Sequence, residues 1–363
     1  MTLSTRHAYL FWSCLQVLNR ERYDALIKVF GTLEDAAKHV DGELLRGLGC
    51  REKTIGSVLE RMEKCDPEQE EALLLSADAR IICLGDQTYP DRLKDIPDAP
   101  VFLYAQGDLG ILSQPSVGLV GTRKMSPYGR RITQEFTRAL TQAKIVTVSG
   151  LARGVDSLVA EETMSGSGAT IAILGQGLLT LPPVSAALAK QIVAAGGLIL
   201  SEFPLRMGAD MFTFPMRNRI IAGLSLATVV LEAPQSSGAL ITAKLAFEYG
   251  REVFAVPGQI FDANYAGCHA IIRKNQASIA ASPRDVLEEI GVIVPDIDPD
   301  RVLYAPQNPE EENILKILTT MPQNIDELVQ KSALTAGSLS AILTVLELNG
   351  AVRNLGAGQW VRT

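Results

Sequence analysis

Residues 117–129 read V-G-L-V-G-T-R-K-M-S-P-Y-G. A short apolar run without polar alternation ends in Gly121-Thr122-Arg123, and a helix is expected to open at Ser126-Pro127, with serine at the N-cap and proline in the first turn. The same grammar returns downstream. Apolar runs at 117–120, 145–149, 170–174, 198–201, 228–232 and 253–256, with a weaker one at 278–280, alternate with helical segments. Strands that are apolar throughout and separated by helices imply a parallel sheet covered on both faces. The middle of the chain is therefore expected to be a doubly wound, Rossmann-like α/β domain.

Around it the pattern changes. Short helices are expected at 8–17, 20–30, 33–38, 41–48 and 51–62, followed by an acidic linker at 66–71 and a proline-rich loop at 89–100. Gly47-Leu48-Gly49 lies between two apolar-periodic runs, as in a helix-hairpin-helix turn. With few basic residues nearby, the turn reads as part of a small helical bundle rather than as a phosphate clamp. A Pro/Asp-rich linker is expected at 294–309. Helices at 309–320, 325–331 and 335–348 and a Gly-turned hairpin at 351–362 then make a winged helix. The expected division is a helical domain at 1–75, the Rossmann-like domain at 76–293 and the winged helix at 306–363.

The 363 residues are 47% hydrophobic and 21% charged, a globular balance that excludes a disordered or collagenous chain. No apolar stretch reaches the roughly 18 residues a membrane span needs. The N-terminus has no basic, apolar and small-residue succession of a signal peptide, and a cytoplasmic protein is expected. Five cysteines, an odd set without a CxxC, argue against a disulfide framework or structural zinc. The net charge of −7 is unevenly spread: residues 1–114 carry 13 basic and 19 acidic side chains, 276–363 carry 6 and 12, and 115–275 carry 15 and 10. A polyanion, if bound, belongs to the middle.

Ligands of open parallel sheets bind beyond the carboxyl ends of the strands. There Gly121, Thr122 and Arg123 precede a helix start, combining close backbone approach, free N–H groups and a guanidinium fork as a phosphate site. The second run ends in Ser149-Gly150-Leu151-Ala152-Arg153-Gly154. Phe214-Pro215-Met216-Arg217-Asn218-Arg219 is expected to precede another helix and sets an aromatic face beside two guanidiniums, the combination used for single-stranded nucleic acid. The competing possibility is a core Phe214 with arginines paired to Glu202 or Glu232. Ser236-Ser237-Gly238 opens one more helix, which carries Lys244.

Several chemistries are excluded. There is no G-x-G-x-x-G after the first strand and no acid closing the second, against a dehydrogenase, and no P-loop signature. His7, His39 and His269 include none at the first two strand ends, so no Ser/His/Asp arrangement is suggested. Cys268-His269 are expected in a loop and not at a metal. No catalytic residue, metal or cofactor is assigned; the site is built to hold phosphates rather than to break bonds.

These motifs resemble the DprA/Smf family. The resemblance rests on 117–129, SGLARGVD at 149–156, ILGQGL at 173–178, SEFP at 201–204, FPMRNRIIAGLS at 214–225 and SGALITAKLAFEYGREVFAVPG at 237–258. It implies a non-catalytic protein that binds single-stranded DNA in a basic pocket of the α/β domain, acts as a homodimer and loads RecA in natural transformation and recombination. By this resemblance Gly121, Thr122 and Arg123 grip phosphate, Arg217 and Arg219 line the same pocket, and Phe214 faces a base. The full candidate set adds Ser149, Gly150, Arg153, Asn218, Ser237, Gly238 and Lys244.

The sequence departs from the family at Ala160, where a histidine is usual, and at Ser185, where Y-P-P-x-N ends in asparagine. It departs again at Cys268-His269 in place of T-N, and at Asn275-Gln276 in place of Gly-Ala. Four changes around one crevice would alter DNA affinity or the ligand. The alternative is a nucleotide-binding or nucleotide-hydrolysing protein related to the nucleoside monophosphate phosphoribohydrolases, whose P-G-G-x-G-T-x-x-E loop would fall at 236–242. The acid of that loop is missing here, and Glu248 falls too late. The expected recognition helix of the winged helix, 335–348, has no Lys or Arg, which favours a protein-facing role over phosphate contact.

Overall fold

A computed structural model describes residues 4–292, 306, 308–319, 321–349, 351–356 and 358–362. The chain forms two compact units, Met1–Ile293 and Val294–Thr363. The expected linker at 294–309 lies almost wholly outside the described residues.

The first unit is built on nine strands: β1 Ala79–Cys83, β2 Phe102–Gly107, β3 Ser116–Gly121, β4 Val146–Ser149, β5 Thr170–Leu174, β6 Leu198–Ser201, β7 Ala227–Glu232, β8 Glu252–Ala255 and β9 Ser278–Ile279. Their spatial order is β1-β2-β6-β5-β4-β3-β7-β8-β9. From β6 to β9 every pairing is parallel. Every residue of β4, β5, β6 and β7 is buried, as a sheet covered on both faces requires. This is the expected doubly wound architecture. The chain winds outward from β3 through β4 and β5 to β6, then returns to place β7 on the other side of β3. That reversal opens a crevice at the carboxyl ends of β3 and β7.

Two features differ from the sequence expectation. The sheet gains β1 and β2, with β2 antiparallel to β6 and β1 antiparallel to β2. The expected acidic linker at 66–71 is instead the start of helix Pro67–Ser76, capped by Asp66, whose side chain accepts from the N–H groups of Glu68 and Gln69. Its glutamates sit in the first turn, where the helix dipole favours anions.

These additions join the N-terminal helices to the sheet. Helix Thr5–Leu15 buries Trp12 and Leu15 in one apolar cluster with Cys83, Val101 and Phe102. Tyr104 of β2 is fully buried and donates to the Ser13 hydroxyl at 2.9 Å. The glycine turn expected to resemble a helix-hairpin-helix lies between Gly42–Gly47 and Glu52–Lys64, with Gly49 at φ +74°.

The second unit is a winged helix. Helices Pro309–Ile317, Ile325–Ser332 and Ala336–Leu348 pack with the antiparallel hairpin of β11 (Val352–Gly356) and β12 (Gln359–Arg362), and β12 also pairs with the two residues of β10 (Gln323–Asn324). Leu315, Leu328, Leu339, Leu343 and Trp360 form its core. Among the described residues no single helix is long and apolar enough to cross a membrane.

The Tyr104–Ser13 bond tests the coupling of helices to sheet. Tyr104→Phe removes a buried donor and should cost about 1 kcal/mol, read as a lower urea midpoint at unchanged m-value. An unchanged midpoint would mean that the bond contributes nothing to the docking.

Candidate nucleic-acid interface

The crevice at the β3/β7 reversal encloses about 450 Å³. The end of β3 supplies Gly121, Thr122 and Arg123, the turn after β4 supplies Ala152 and Asp156, and the loop after β7 supplies Ser236, Ser237 and Gly238. One face of helix Thr213–Leu224 completes the wall with Phe214, Arg217 and Asn218. Positions three and four apart share a helix face, which is why these three meet the same space. The helix begins at Thr213, so Phe214 lies inside its first turn, not before it as expected.

The most consequential difference concerns the helix start at Ser126. The spacing pointed to an anion site there, and the structure fills it with a carboxylate of the chain itself. Glu232, at the end of β7, accepts from the Ser126 backbone N–H at 3.1 Å and from the Ser126 hydroxyl at 3.0 Å. Burial pushes the Glu232 carboxyl up, against the pull of these bonds. Gly129 is required beside it, since a Cβ there would collide with Glu232. The N-terminus of helix Pro127–Gln142 is thus satisfied internally. Two other helices, Val155–Ser165 and Ala239–Glu248, start at the crevice with glycine N-caps; the Val155 N–H donates to the Thr122 carbonyl and the Ala239 N–H to the Ser237 hydroxyl.

The arginines divide into two kinds. Arg217 lines the crevice yet is only 5% exposed. It donates to the carbonyls of Gly150 and Ile173 and to Asn218 Oδ1, and lies 3.7 Å from Asp156. Burial pushes the Asp156 carboxyl up while Arg217 and nearby N–H groups draw it back. Gly150 is needed because a Cβ would occupy the Arg217 guanidinium. Arg217 therefore ties the ends of β4 and β5 to the helix, with Nε and Nη1 bonded within the protein and Nη2 beside Asp156. Arg219, expected in the same pocket, does not line it: it is ion-paired with Glu202 and reaches the Asp98 carbonyl. Lys244 also lies outside the lining and faces Glu248 at 3.5 Å. Ser149 is buried and donates to the Leu119 carbonyl, a structural bond.

Arg123 behaves otherwise. It is exposed, has no carboxylate partner among the described residues, and its guanidinium sits 5.4 Å from the centroid of the Phe214 ring. Phe214 is half-buried, packed over Gly175, with part of its surface open to the crevice. Lys124, next to Arg123, and Arg153, next to the Gly154 that packs against the Arg123 backbone, are exposed and likewise lack an ion-pair partner among the described residues, and neither lines the crevice.

Sequence reasoning gave Asp156 and Met211 no role at the site and weighed Glu232 only as a partner for the arginines, whereas it is bonded to Ser126. Asp156 stood inside the quoted SGLARGVD motif, but nothing in its spacing tied it to Arg217. The four departures at Ala160, Ser185, His269 and Asn275 do not line the crevice, contrary to expectation. Ala160 is buried on helix Val155–Ser165, and Cys268 and His269 lie on helix Ala266–Arg273 instead of a loop, with His269 Nε2 against the Gly258 carbonyl at 3.1 Å. No cluster of metal-ligating side chains occurs among the described residues.

Residues 80–291 match the family described as DNA recombination-mediator protein A, and residues 299–358 match the DprA winged helix domain. Protein Smf of Synechocystis sp. is 33% identical over 97% of both chains. DNA processing protein DprA of Streptococcus pneumoniae is 40% identical over 56% of this chain and 72% of its own. The X-ray structure of the S. pneumoniae protein superposes with a TM-score of 0.65 at 33% identity, covering 80% of this chain and 99% of that one. DNA processing protein A of Helicobacter pylori, described for its single-stranded DNA binding mode, superposes with a TM-score of 0.52 at 27% identity, over 58% of this chain and 95% of that one.

The two kinds of arginine separate by mutation. Arg217→Ala leaves Asp156 buried without its cation and should cost about 3–5 kcal/mol of folding stability, while Arg123→Ala should leave the melting temperature near that of the parent. Equal melting of both variants would show that Arg217 is not a structural tie.

Proposed function

The chain belongs to the DprA/Smf family of DNA-processing proteins, and on that premise we propose that it binds single-stranded DNA in the β3/β7 crevice. One observation carries this reading: an unpaired guanidinium, Arg123, lies over a half-buried aromatic ring, Phe214, in an open cleft. A strand entering the cleft exchanges that cation–π contact, worth about 0.5–1 kcal/mol at an exposed site, for a phosphate on Arg123 and a base on the freed ring face. Gly121, Thr122, Ser237 and Gly238 bring backbone close to the phosphates, and Asn218 adds a polar contact. Arg153, exposed and unpaired, extends the cationic path.

Binding is proposed without bond-breaking. The two carboxylates nearest the cleft are both engaged, Asp156 with Arg217 and Glu232 with Ser126, which speaks against their use as acid and base. The bound strand would then serve as the platform for loading RecA in DNA uptake, natural transformation and recombination, in the cytoplasm. A homodimer is part of the proposal, and the sheet edge at β9, where Ile279 is exposed, offers a surface for it. The division at 1–75, 76–293 and 306–363 is kept as a functional one. The winged helix is assigned to protein contact, since helix Ala336–Leu348 carries no cation.

A mobility-shift titration at two salt concentrations tests the assignment. Single-stranded oligonucleotides should bind more tightly than duplex. Arg123→Ala should weaken binding across sequences and flatten the log K against log[salt] slope by about 0.7, the value for one phosphate on a single strand. Phe214→Ala should cost about 1–3 kcal/mol of affinity with the slope unchanged, because no charge is removed. Preference for duplex, or an Arg123→Ala slope equal to the parent's, would overturn the site.

A further inference from the structure

A second groove lies across the segment 211–216 from the crevice. It encloses about 270 Å³ and is walled by Trp12, Phe102, Phe203, Met207, Phe212 and Met216, with Glu202 and Asp210 as its charged members. No lysine or arginine lines it among the described residues. The groove thus offers a phosphate no cation on its lining, whereas its apolar and thioether walls accept a flat ring whose N–H groups can meet an acceptor.

Glu202 supplies that acceptor. Its side chain is 10% exposed, and one carboxylate oxygen, Oε2, is taken by Arg219. The other, Oε1, is buried with no hydrogen-bond partner among the described residues. An acceptor buried in this state is costly, and a donor that reaches it by displacing the rim recovers the cost. The rim is formed by side chains open to solvent, Phe212 and Met216, exposed at 68% and 46%.

The position of the groove selects the donor. Met211 and Phe214 line the crevice, while Phe212, Thr213 and Met216 line the groove. Neighbouring residues thus face opposite sites, and a single chain segment separates the two. We propose that the groove is a base subsite for the strand held in the crevice. A nucleotide flanking the phosphate on Arg123 turns its base across Phe212 and Met216, and Glu202 Oε1 accepts a hydrogen bond from its exocyclic amine. Cytosine fits this acceptor through its N4 amine, and uracil, which presents an O4 acceptor at that place, is disfavoured. This inference rests on the single-stranded DNA reading given above.

Fluorescence anisotropy of the full chain with 20-residue oligo-dC and oligo-dU tests it, because the two strands differ at the base edge and not in charge. Oligo-dC should bind about tenfold more tightly, the scale of one hydrogen bond to a charged group. Glu202→Gln should abolish the preference, since an amide both donates and accepts. Phe212→Ala, at an exposed position that leaves the fold intact, should reduce the preference even if Glu202→Gln proves unstable through loss of the Arg219 pair. Arg123→Ala should weaken both strands and preserve their ratio. Equal binding of the two strands by the parent, or a ratio that survives in Phe212→Ala and Glu202→Gln, overturns the subsite and leaves the crevice reading standing. Failure of the parent to bind either strand overturns the crevice reading, and the subsite with it.

Discussion

The buried guanidinium of Arg217 is the tie on which the crevice depends. It reaches back from helix Thr213–Leu224 to the carbonyls that close β4 and β5, and Asp156 compensates its charge from the next helix. Removing any partner would leave a desolvated charge or unsatisfied carbonyls, so the three elements are held as one body. Phe214 stands three residues earlier on the same face and is carried to the mouth of the cleft by that anchor. Gly150 belongs to the same arrangement, since only a residue without Cβ lets the guanidinium approach the strand end. A motif that reads as a basic binding loop is therefore largely a device for fixing geometry.

The parallel sheet was legible because its strands are buried on both faces and write their burial as uninterrupted apolar runs. The run at 170–174 coincides with β5, and those at 117–120 and 228–232 lie within β3 and β7. The antiparallel addition was legible only in part. β1 mixes buried, exposed and intermediate positions in five residues, whereas β2 opens with four buried apolar residues, 102–105, and so writes the same apolar run, overlooked because it directly follows the proline-rich loop. Helix Pro67–Ser76 was misread for a related reason. Its acidic first turn resembles a linker in composition, although Asp66-Pro67 is an N-cap followed by an N1 proline and the glutamates complement the dipole.

At the site, residue types were legible and, apart from the Arg219–Glu202 pair that the competing reading had weighed, partnerships were not. Glu232 and Ser126 are 106 positions apart, and Arg217 and Gly150 are 67 apart. Spacing within a motif says nothing about such pairs, because they exist only after the sheet reverses at β3 and β7. The helix start at Ser126 had every local feature of an anion site. What occupies it is an anion supplied by the neighbouring strand, which satisfies the same N–H group that a phosphate would have met.

This changes how the charge of the middle segment bears on binding. Its excess of 15 basic over 10 acidic residues suggests a broadly cationic surface. Arg138, Arg217, Arg219 and Lys244 are paired with Glu162, Asp156, Glu202 and Glu248. Such pairs leave the net charge unaltered while removing those cations from the set available to a phosphate. Arg123, Lys124 and Arg153 remain exposed around the strand ends, without ion-pair partners among the described residues. In the proposed complex counterion release counts only phosphates neutralised by free cations at the crevice, so the salt dependence follows those cations and not the segment total. A site with few phosphate contacts must draw the rest of its affinity from stacking and polar contacts to bases. The half-buried Phe214 and the exposed Met211 and Phe212 are placed where such contacts would form.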